Sequence, residues 1–492
     1  MAAIAGIISK NGEKLDNGAG RVEKMLNLMR HRGPDAITVR LLPEGTVTIG
    51  AAAINLAPSR TQCASVDNPP YIVFDGELFN DHADGQTDLQ LFEEYYRKYG
   101  KDCFKYLDGS YCCAIVEDGE TFIARDHVGA RPLFYGSENG LFVFSSEMKG
   151  LIDYIRFDVH ELEPGHIYST RDGLKPVEAY VPEVPEAENL EQATGVVRDL
   201  LIKAVEKRMD GVNAIALSGG LDSSLIAAIA KQYNPDIHLF TGTIDSADAP
   251  DLPMAELMAE FLGLEHHIYR ITDKDISGII PDAVWYLESF DEDCISGIIA
   301  NYYVSRMVKE YSHNVMVGEG ADELFGGYRM VLKNPKVTSN EHREELARKL
   351  LSIAYNTALR RLDRAWLANS VTYQTPFLDP SVLAFSRKIP MDWKIYGEKQ
   401  TEKYILREAF KDMLPKEIYQ REKLRFAMGT GIDDVMDEVV SKVVDPKRLE
   451  ELSTSYCGMP FATFKEIYYY DEFLRKFPSA YEKQTIRWDP FK

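Results

Sequence analysis

The sequence predicts a two-domain protein of mixed α/β and α+β class: a strand-rich first part, then a second part built on a parallel sheet. Three observations carry this. The chain has 492 residues, enough for two or three domains that each bury a core. Residues 1–180 break into short apolar or alternating runs separated by Gly, Asp and Pro turns. Beyond the Pro/Glu-rich stretch from Pro182 to Leu190, helical and strand patterns alternate, the βαβ rhythm of a parallel sheet covered on both faces. The expected domains are therefore 1–185 and 190–492.

In chain order, the first part predicts strands near 3–8, 47–56, 71–74, 110–117, 120–125 and 141–145, and helices near 19–31 and 87–99. The second part predicts helix 191–208, strand 212–217, helix 222–233, strand 236–243, helix 253–263 and strand 265–269. From about 275 onward the pattern is mostly helical, with one further strand at Asn314–Val317. No repeat and no low-complexity segment interrupts it.

Composition is that of an ordinary globular chain, 45% hydrophobic and 27% charged. A formal charge of −21 argues against nucleic acid or an anionic membrane as partner. No run of about 20 apolar residues exists to span a bilayer. The start, Met-Ala-Ala-Ile-Ala-Gly-Ile-Ile, lacks a basic n-region and predicts a first strand rather than a signal peptide. The six cysteines, Cys63, Cys103, Cys112, Cys113, Cys294 and Cys457, form no CxxC pair and have no zinc-type spacing with His. Buried free thiols in a reducing cytoplasm are expected.

The most informative segment is Leu217-Ser218-Gly219-Gly220-Leu221-Asp222-Ser223-Ser224. It follows the apolar run Val212, Ala214, Ile215, Ala216 and opens onto the helix former Leu225 to Ala230. A strand that turns through two glycines into a helix presents unpaired N–H groups and the positive helix end to an anion. Gly219 and Gly220 allow close approach to phosphate oxygens, and Ser218, Ser223 and Ser224 add hydroxyl donors. Asp222 cannot bind phosphate directly, so its expected partner is a bridging cation, Mg²⁺ first. The lysine of a Walker A motif is missing. The loop resembles the pyrophosphate loop of the ATP pyrophosphatases, which release pyrophosphate and leave an adenylated intermediate.

Further blocks extend the likeness. They are Arg30-His31-Arg32-Gly33-Pro34-Asp35, Asp75-Gly76-Glu77-Leu78-Phe79-Asn80, Arg125-Asp126-His127 through Arg131-Pro132-Leu133, and Ser146-Glu147-Met148-Lys149. In the second part stand Gly318-Glu319-Gly320-Ala321-Asp322-Glu323-Leu324-Phe325-Gly326-Gly327-Tyr328, Pro376-Phe377-Leu378-Asp379, and Leu414-Pro415 with Arg421-Glu422-Lys423. Tyr470 and Trp488-Asp489-Pro490 close the series. In this order the blocks resemble the asparagine synthetase B family over nearly the whole chain.

The resemblance implies an N-terminal Ntn-hydrolase-like αββα sandwich (a type 2 glutamine amidotransferase) and a C-terminal ATP-pyrophosphatase synthetase domain. It implies ATP and Mg²⁺, a small-molecule carboxylate, and ammonia or an amine; a homodimer stays open, and the compartment is the cytoplasm. Carried over by position, Ser218 to Ser224 cradle pyrophosphate, while Leu217, Gly242 and Gly318 surround the adenosine. Asp222 and Asp322 hold Mg²⁺, Glu319 is the general base toward the amine, and Lys423 neutralises the departing phosphate. Electrostatic stabilisation of charge gathering on pyrophosphate gives these roles their physical sense.

The first domain departs from the family at its reactive positions. The family's cysteine nucleophile after the initiator methionine is Ala2, which has no nucleophilic atom. The substrate-gripping arginine aligns with Ala53, with Arg60 nearby but out of register. The oxyanion-hole asparagine is Asp75, while Gly76, Glu77 and Asp88 persist. These losses predict a domain that does not hydrolyse glutamine and instead supports the second. Ahead of Pro376, a family Glu-x-Arg-x has become Thr372-Tyr373-Gln374-Thr375, which reads either as a changed grip on the acceptor or as a fold brace repacked. The expected activity is an amide-forming ligase yielding AMP and pyrophosphate. An intramolecular lactam-forming ligase resembling β-lactam synthetase and a nucleotide-binding pseudoenzyme are the alternatives. The lactam-forming relative carries a tyrosine where this chain has Glu319.

Overall fold

A computed structural model describes residues 2–54, 62–245, 249–328, 334–337, 339–452 and 456–487. Arg60 and Trp488-Asp489-Pro490 lie outside the described residues.

Two six-stranded antiparallel sheets build the first part. One runs β10(Val159–Glu161), β8(Phe134–Glu138), β9(Leu141–Ser145), β1(Ala2–Ser9), β3(Val47–Ala53), β2(Ala36–Leu41). The other runs β12(Gly173–Pro176), β11(His166–Ser169), β7(Glu120–Arg125), β6(Gly109–Glu117), β5(Tyr71–Leu78), β4(Ala64–Ser65). Strand alternation sorts the side chains. Ala2, Ile4 and Ile8 of β1 pack between the sheets with Val73, Ala114 and Ile123. Ala3, Ala5 and Ile7 face outward against α1(Gly18–Leu28) through Val22, Met25 and Leu26. The outer face of the other sheet is covered by α2(Asp88–Tyr99), with Leu89 and Phe92 against Ile72, Phe74 and Ile115. The layers are αββα, as expected, and α2 starts on a Thr87/Gln90 capping box. All six expected strands are present, while β2, β4, β8 and β10 to β12 are additional.

The second part opens with α3(Leu190–Glu206), whose Asn189 side chain caps its first turn. Its sheet is parallel throughout, in the order β15(His266–Ile271), β14(His238–Ile244), β13(Ala214–Ala216), β16(Asn314–Met316), β17(Thr372–Gln374). The fifth strand corrects the expectation of one further strand after 275. Three residues within a long helical region give too little periodicity to read.

Helix α4(Leu221–Ala230) is buried along its whole length, between the sheet, α3 and α5(Asp251–Leu262). That explains its unbroken apolar run from Leu225 to Ala230. Chain order reverses between β13 and β16, so the connections leaving these neighbours diverge and open a crevice at their C-terminal ends. No described helix is long and apolar enough to cross a membrane. Five cysteines are buried as expected, but Cys457 is exposed, with its thiol against Glu482.

The parts meet through a buried ion network. Arg32 lies against Asp75, Glu147 and Asp363, while Arg364 reaches Glu147 and Glu288. All six side chains are at most 1% exposed where these pairs form. Burial pushes the carboxyl of Glu147 up, but Arg364 and Lys149 outweigh it and hold the group well below its ordinary range.

Candidate active site

The crevice holds a cavity of ≈ 320 Å³ whose lining includes Leu217, Ser218, Asp222, Ser223, Gly242 and Gly318. Glu319, Asp322 and Lys423 also line it. The fold brings to one cavity these residues, which the family resemblance assigns to one site. Leu217 to Gly220 form the turn from β13 into α4. Gly219 has φ +71°, and a Cβ there would stand 2.6 Å from the Asp251 carbonyl oxygen, so no other residue fits the turn. The Ser218 amide donates to Ser223 Oγ at 3.0 Å, and the two hydroxyls are 3.0 Å apart. Gly220 and Leu221 line a smaller adjoining recess with Lys403 and Lys423. Ser224 is fully buried behind the loop. The Gly219 carbonyl accepts from Arg421, which also pairs with Asp251 at 2.6 Å.

From the other side of the crevice, Gly318 approaches so closely that a Cβ would meet Asp222 Cβ and the Ser223 amide nitrogen, each at 3.0 Å. The short helix Ala321–Phe325 follows, with Asp322 in its first turn. Two lysines bridge the carboxylates. Lys403 Nζ is 2.6 Å from Asp222 Oδ2 and 2.5 Å from Asp322 Oδ1. Lys423 Nζ is 3.0 Å from Asp322 Oδ2 and 3.5 Å from Asp222 Oδ2. Burial raises the Asp322 carboxyl, yet Lys403 and Lys423 outweigh it and hold it well below the usual carboxylate range. For Lys423 burial works downward, and Asp322 and Asp222 lift the ammonium well above its ordinary value. Asp222 Oδ1 is buried with no hydrogen-bond partner among the described residues. An orphaned carboxylate oxygen beside a second carboxylate, at a helix N-terminus suited to phosphate, fits Mg²⁺, which takes one or two carboxylates plus phosphate oxygens.

Glu319 is half-buried, and burial raises its carboxyl above the ordinary value. Arg361 Nη2 stands 4.0 Å from its Oε1.

Sequence reading missed three kinds of residue. Lys403 is 181 residues from Asp222 and sits just before the helix Tyr404–Phe410 with φ +53°; no local pattern marks it. Glu402 accepts from the Lys423 amide and from Arg407, both at 2.8 Å, and so fixes the backbone of Lys423. Arg361 and Arg425 line the cavity opposite the loop, 3.6 and 3.2 Å from Asp293. The strand Thr372–Gln374 stands away from this lining. Thr372 Oγ1 bonds Asn314, and Gln374 Nε2 donates to Glu77 Oε2 at 2.6 Å. That geometry is a brace between the two parts of the chain.

The first-domain positions have a different character. Ala2, Ala53, Asp75 and Glu77 are at most 4% exposed. The Ala2 amide donates to Asp75 Oδ1 at 2.8 Å, and Asp75 Oδ2 lies 3.3 Å from Arg32. A Cβ on Gly76 would stand 2.5 Å from Tyr111 Cβ, so glycine is required by strand packing. Asp88 Oδ1 accepts from the Leu78 amide and lies 3.0 Å from His82 Nε2.

A parallel-sheet domain with a Gly-rich strand-to-helix turn and paired carboxylates at its switch point, joined to an αββα sandwich, has the architecture of an ATP-dependent synthetase fused to an amidotransferase-type domain. The asparagine synthase family model matches residues 196–344 and 334–488, and the glutamine amidotransferase domain model matches residues 1–169. A root asparagine synthetase [glutamine-hydrolyzing] of Pisum sativum is 30% identical, covering 96% of this chain and 86% of its own. Asparagine synthetase [glutamine-hydrolyzing] of Zea mays is 29% identical, over 100% and 88%. Asparagine synthetase B [glutamine-hydrolyzing] of Escherichia coli (strain K12) is 29% identical, over 98% and 93%. This chain belongs to the asparagine synthase family, whose members are carbon–nitrogen ligases that use ATP with Mg²⁺ and form AMP and pyrophosphate.

Proposed function

We propose that residues 190–492 activate a small carboxylate with ATP and pass it to ammonia or an amine that does not come from glutamine on this chain. Residues 1–185 then serve as a supporting domain. The convergence of Asp222, Asp322, Lys403 and Lys423 at the start of α4 carries this reading. Backbone N–H groups of the turn and the hydroxyls of Ser218 and Ser223 bind the β- and γ-phosphates, while Leu217, Gly242 and Gly318 border the adenosine. Asp222 and Asp322 would hold Mg²⁺, which supplies charge neutralisation on the phosphate oxygens. Attack of the carboxylate on the α-phosphorus leaves charge on pyrophosphate, where Lys423 meets it. Lys403 keeps the two aspartates together, and Glu402 keeps Lys423 in place. Glu319 takes a proton from the incoming amine, a role suited to a carboxyl raised above its ordinary value. Arg361 and Arg425 offer the substrate's own carboxylate a guanidinium partner.

Absence of glutamine hydrolysis is supported by Ala2, which offers no nucleophile, and by an Asp75 carboxylate where an oxyanion would need a donor. The test is pyrophosphate release from Mg·ATP with aspartate and ammonium, glutamine absent. Stoichiometric AMP and asparagine identify an ammonia-dependent asparagine synthetase. ATP binding without release calls for a screen of other carboxylates, and turnover independent of ammonium would identify an amine carried on the substrate itself, as in lactam formation. Release dependent on glutamine would overturn the reading of the first domain.

A further inference from the structure

At the end of the parallel sheet away from the phosphate loop, three side chains converge that the ligase reaction does not use. His238 begins β14, and Glu265 and His267 stand at the start of the neighbouring edge strand β15. The parallel register pairs Leu239 with His266 and Phe240 with His267, so His238, Phe240, Glu265 and His267 share one face. The neighbouring His266 points to the other face, with its Nε2 2.7 Å from Thr241 Oγ1. His238 Nδ1 is 3.0 Å from His267 Nε2, while Glu265 Oε2 lies 3.5 Å from His238 Nδ1 and Oε1 lies 3.5 Å from His267 Nε2.

From these residues we infer a divalent transition-metal site, zinc by ligand chemistry, formed by His238 Nδ1, His267 Nε2 and the Glu265 carboxylate. Ligands at about 2.0–2.1 Å on a tetrahedral zinc stand about 3.3–3.4 Å apart, and the three separations above bracket that spacing. Two imidazoles and one carboxylate select zinc and its neighbours over Mg²⁺, which prefers oxygen ligands alone. Aromatic rings flank His267: Tyr311 lies 4.4 Å from its ring and Phe240 stacks on it at 4.8 Å. These rings hold the His267 imidazole in place beside its partners. Glu265 is 66% exposed at its side chain, which leaves an approach from solvent and room for a water as fourth ligand. A bound ion would tie the edge strand β15 to β14, the strand that carries Gly242 to the nucleotide cavity. The ligands come from two strands and are brought together by register, which is why no spacing in the sequence announces them.

The experiment uses the full chain stripped by chelator and titrated with Zn²⁺ by calorimetry, with Mg²⁺ in excess to occupy carboxylate sites. Co²⁺ replaces Zn²⁺ for absorption spectra. One equivalent of Zn²⁺ is expected to bind, to raise the melting temperature, and to give visible Co²⁺ bands of tetrahedral intensity. His238→Ala and His267→Ala are each expected to weaken binding more than about 100-fold, since loss of an outer partner alone costs about 10–100-fold. Glu265→Gln, at an exposed position that does not threaten folding, is expected to weaken binding as well. Cys457→Ser is expected to bind as the parent does. No saturable binding by the parent, unchanged affinity in Glu265→Gln, or loss of binding in Cys457→Ser would each overturn the site.

Discussion

Arg32 donates two hydrogen bonds to the carboxylate of Asp363, at 2.5 and 3.2 Å, across 331 residues of chain. The pair ties the 3-10 turn after α1 to the helix Ala358–Leu367, and both side chains are at most 1% exposed. Removing one member strands a buried charge. Arg32→Ala and Asp363→Ala are each expected to cost about 3–5 kcal/mol, read as a lower midpoint in urea. Burial works against ionisation of Asp363, but Arg32 and Arg364 outweigh it and depress its carboxyl. A depressed folded value contributes stability above the unfolded value of about 3.9, and that stability is lost as pH falls through the folded value. The pH-dependent contribution of Asp363, read as the difference between parent and Asp363→Ala, is therefore expected to be flat near neutrality and to shrink only below about pH 4.

Lys403 touches both aspartates of the crevice, and its removal is expected to leave the two carboxylates bridged by Lys423 alone. Lys403→Ala is expected to slow ATP–pyrophosphate exchange by on the order of 100-fold or more, the scale of losing one fixed electrostatic partner in a closed site. The carboxyl of Asp322 rises in the variant, so the acid limb of the exchange profile moves to higher pH. Unchanged exchange would place Lys403 outside the reaction.

The contrast between the phosphate loop and Lys403 explains what was legible in the sequence. Strand, glycine turn and helix start lie within a dozen consecutive residues, and each leaves a local mark: an apolar run, Gly219 with its positive φ, and a helix former. The αββα layers were legible only through the family resemblance, because β1, β3 and β6 are buried on both faces and carry no alternation of their own. Lys403, Arg361 and the Gln374–Glu77 brace depend on which distant segments the fold lays side by side, and lysine before a helix has no pattern of its own. The strand Thr372–Gln374 is too short for periodicity, and its polar residues are buried by distant partners, Thr372 by Asn314 on the neighbouring strand and Gln374 by Glu77 of the first domain. That is why a change in its residues read equally well as substrate grip or as brace.

In the proposed reaction Glu319 acts only in the second half-reaction. Burial raises its carboxyl, so the basic form accumulates only as pH climbs past the ordinary carboxylate range, and amide formation is expected to rise with pH through that raised value. Glu319→Gln is expected to keep ATP–pyrophosphate exchange within a few fold while lowering amide formation by about 100-fold to 10,000-fold, the usual range for a positioned base. Equal losses in both reactions would make it a structural residue of the loop.

Restoring the missing nucleophile tests the first domain. Ala2→Cys supplies a thiol but leaves Ala53, with no cation for a glutamine carboxylate, and Asp75, a hydrogen-bond acceptor engaged by the residue 2 amide and by Arg32. An oxyanion formed beside Asp75 would meet a carboxylate instead of a donor, and loss of a single donor in such a site costs about 100–1,000-fold. Glutamate release by Ala2→Cys is therefore expected to stay at background, in an assay that resolves a thousandth of an ordinary amidotransferase rate. Measurable release would mean that the Asp75 side chain moves off its partners when substrate binds. Asp75→Asn, which loses the charge opposite Arg32, is expected to lower stability even where it improves the oxyanion pocket, so the two changes together trade support of the second domain against hydrolysis in the first.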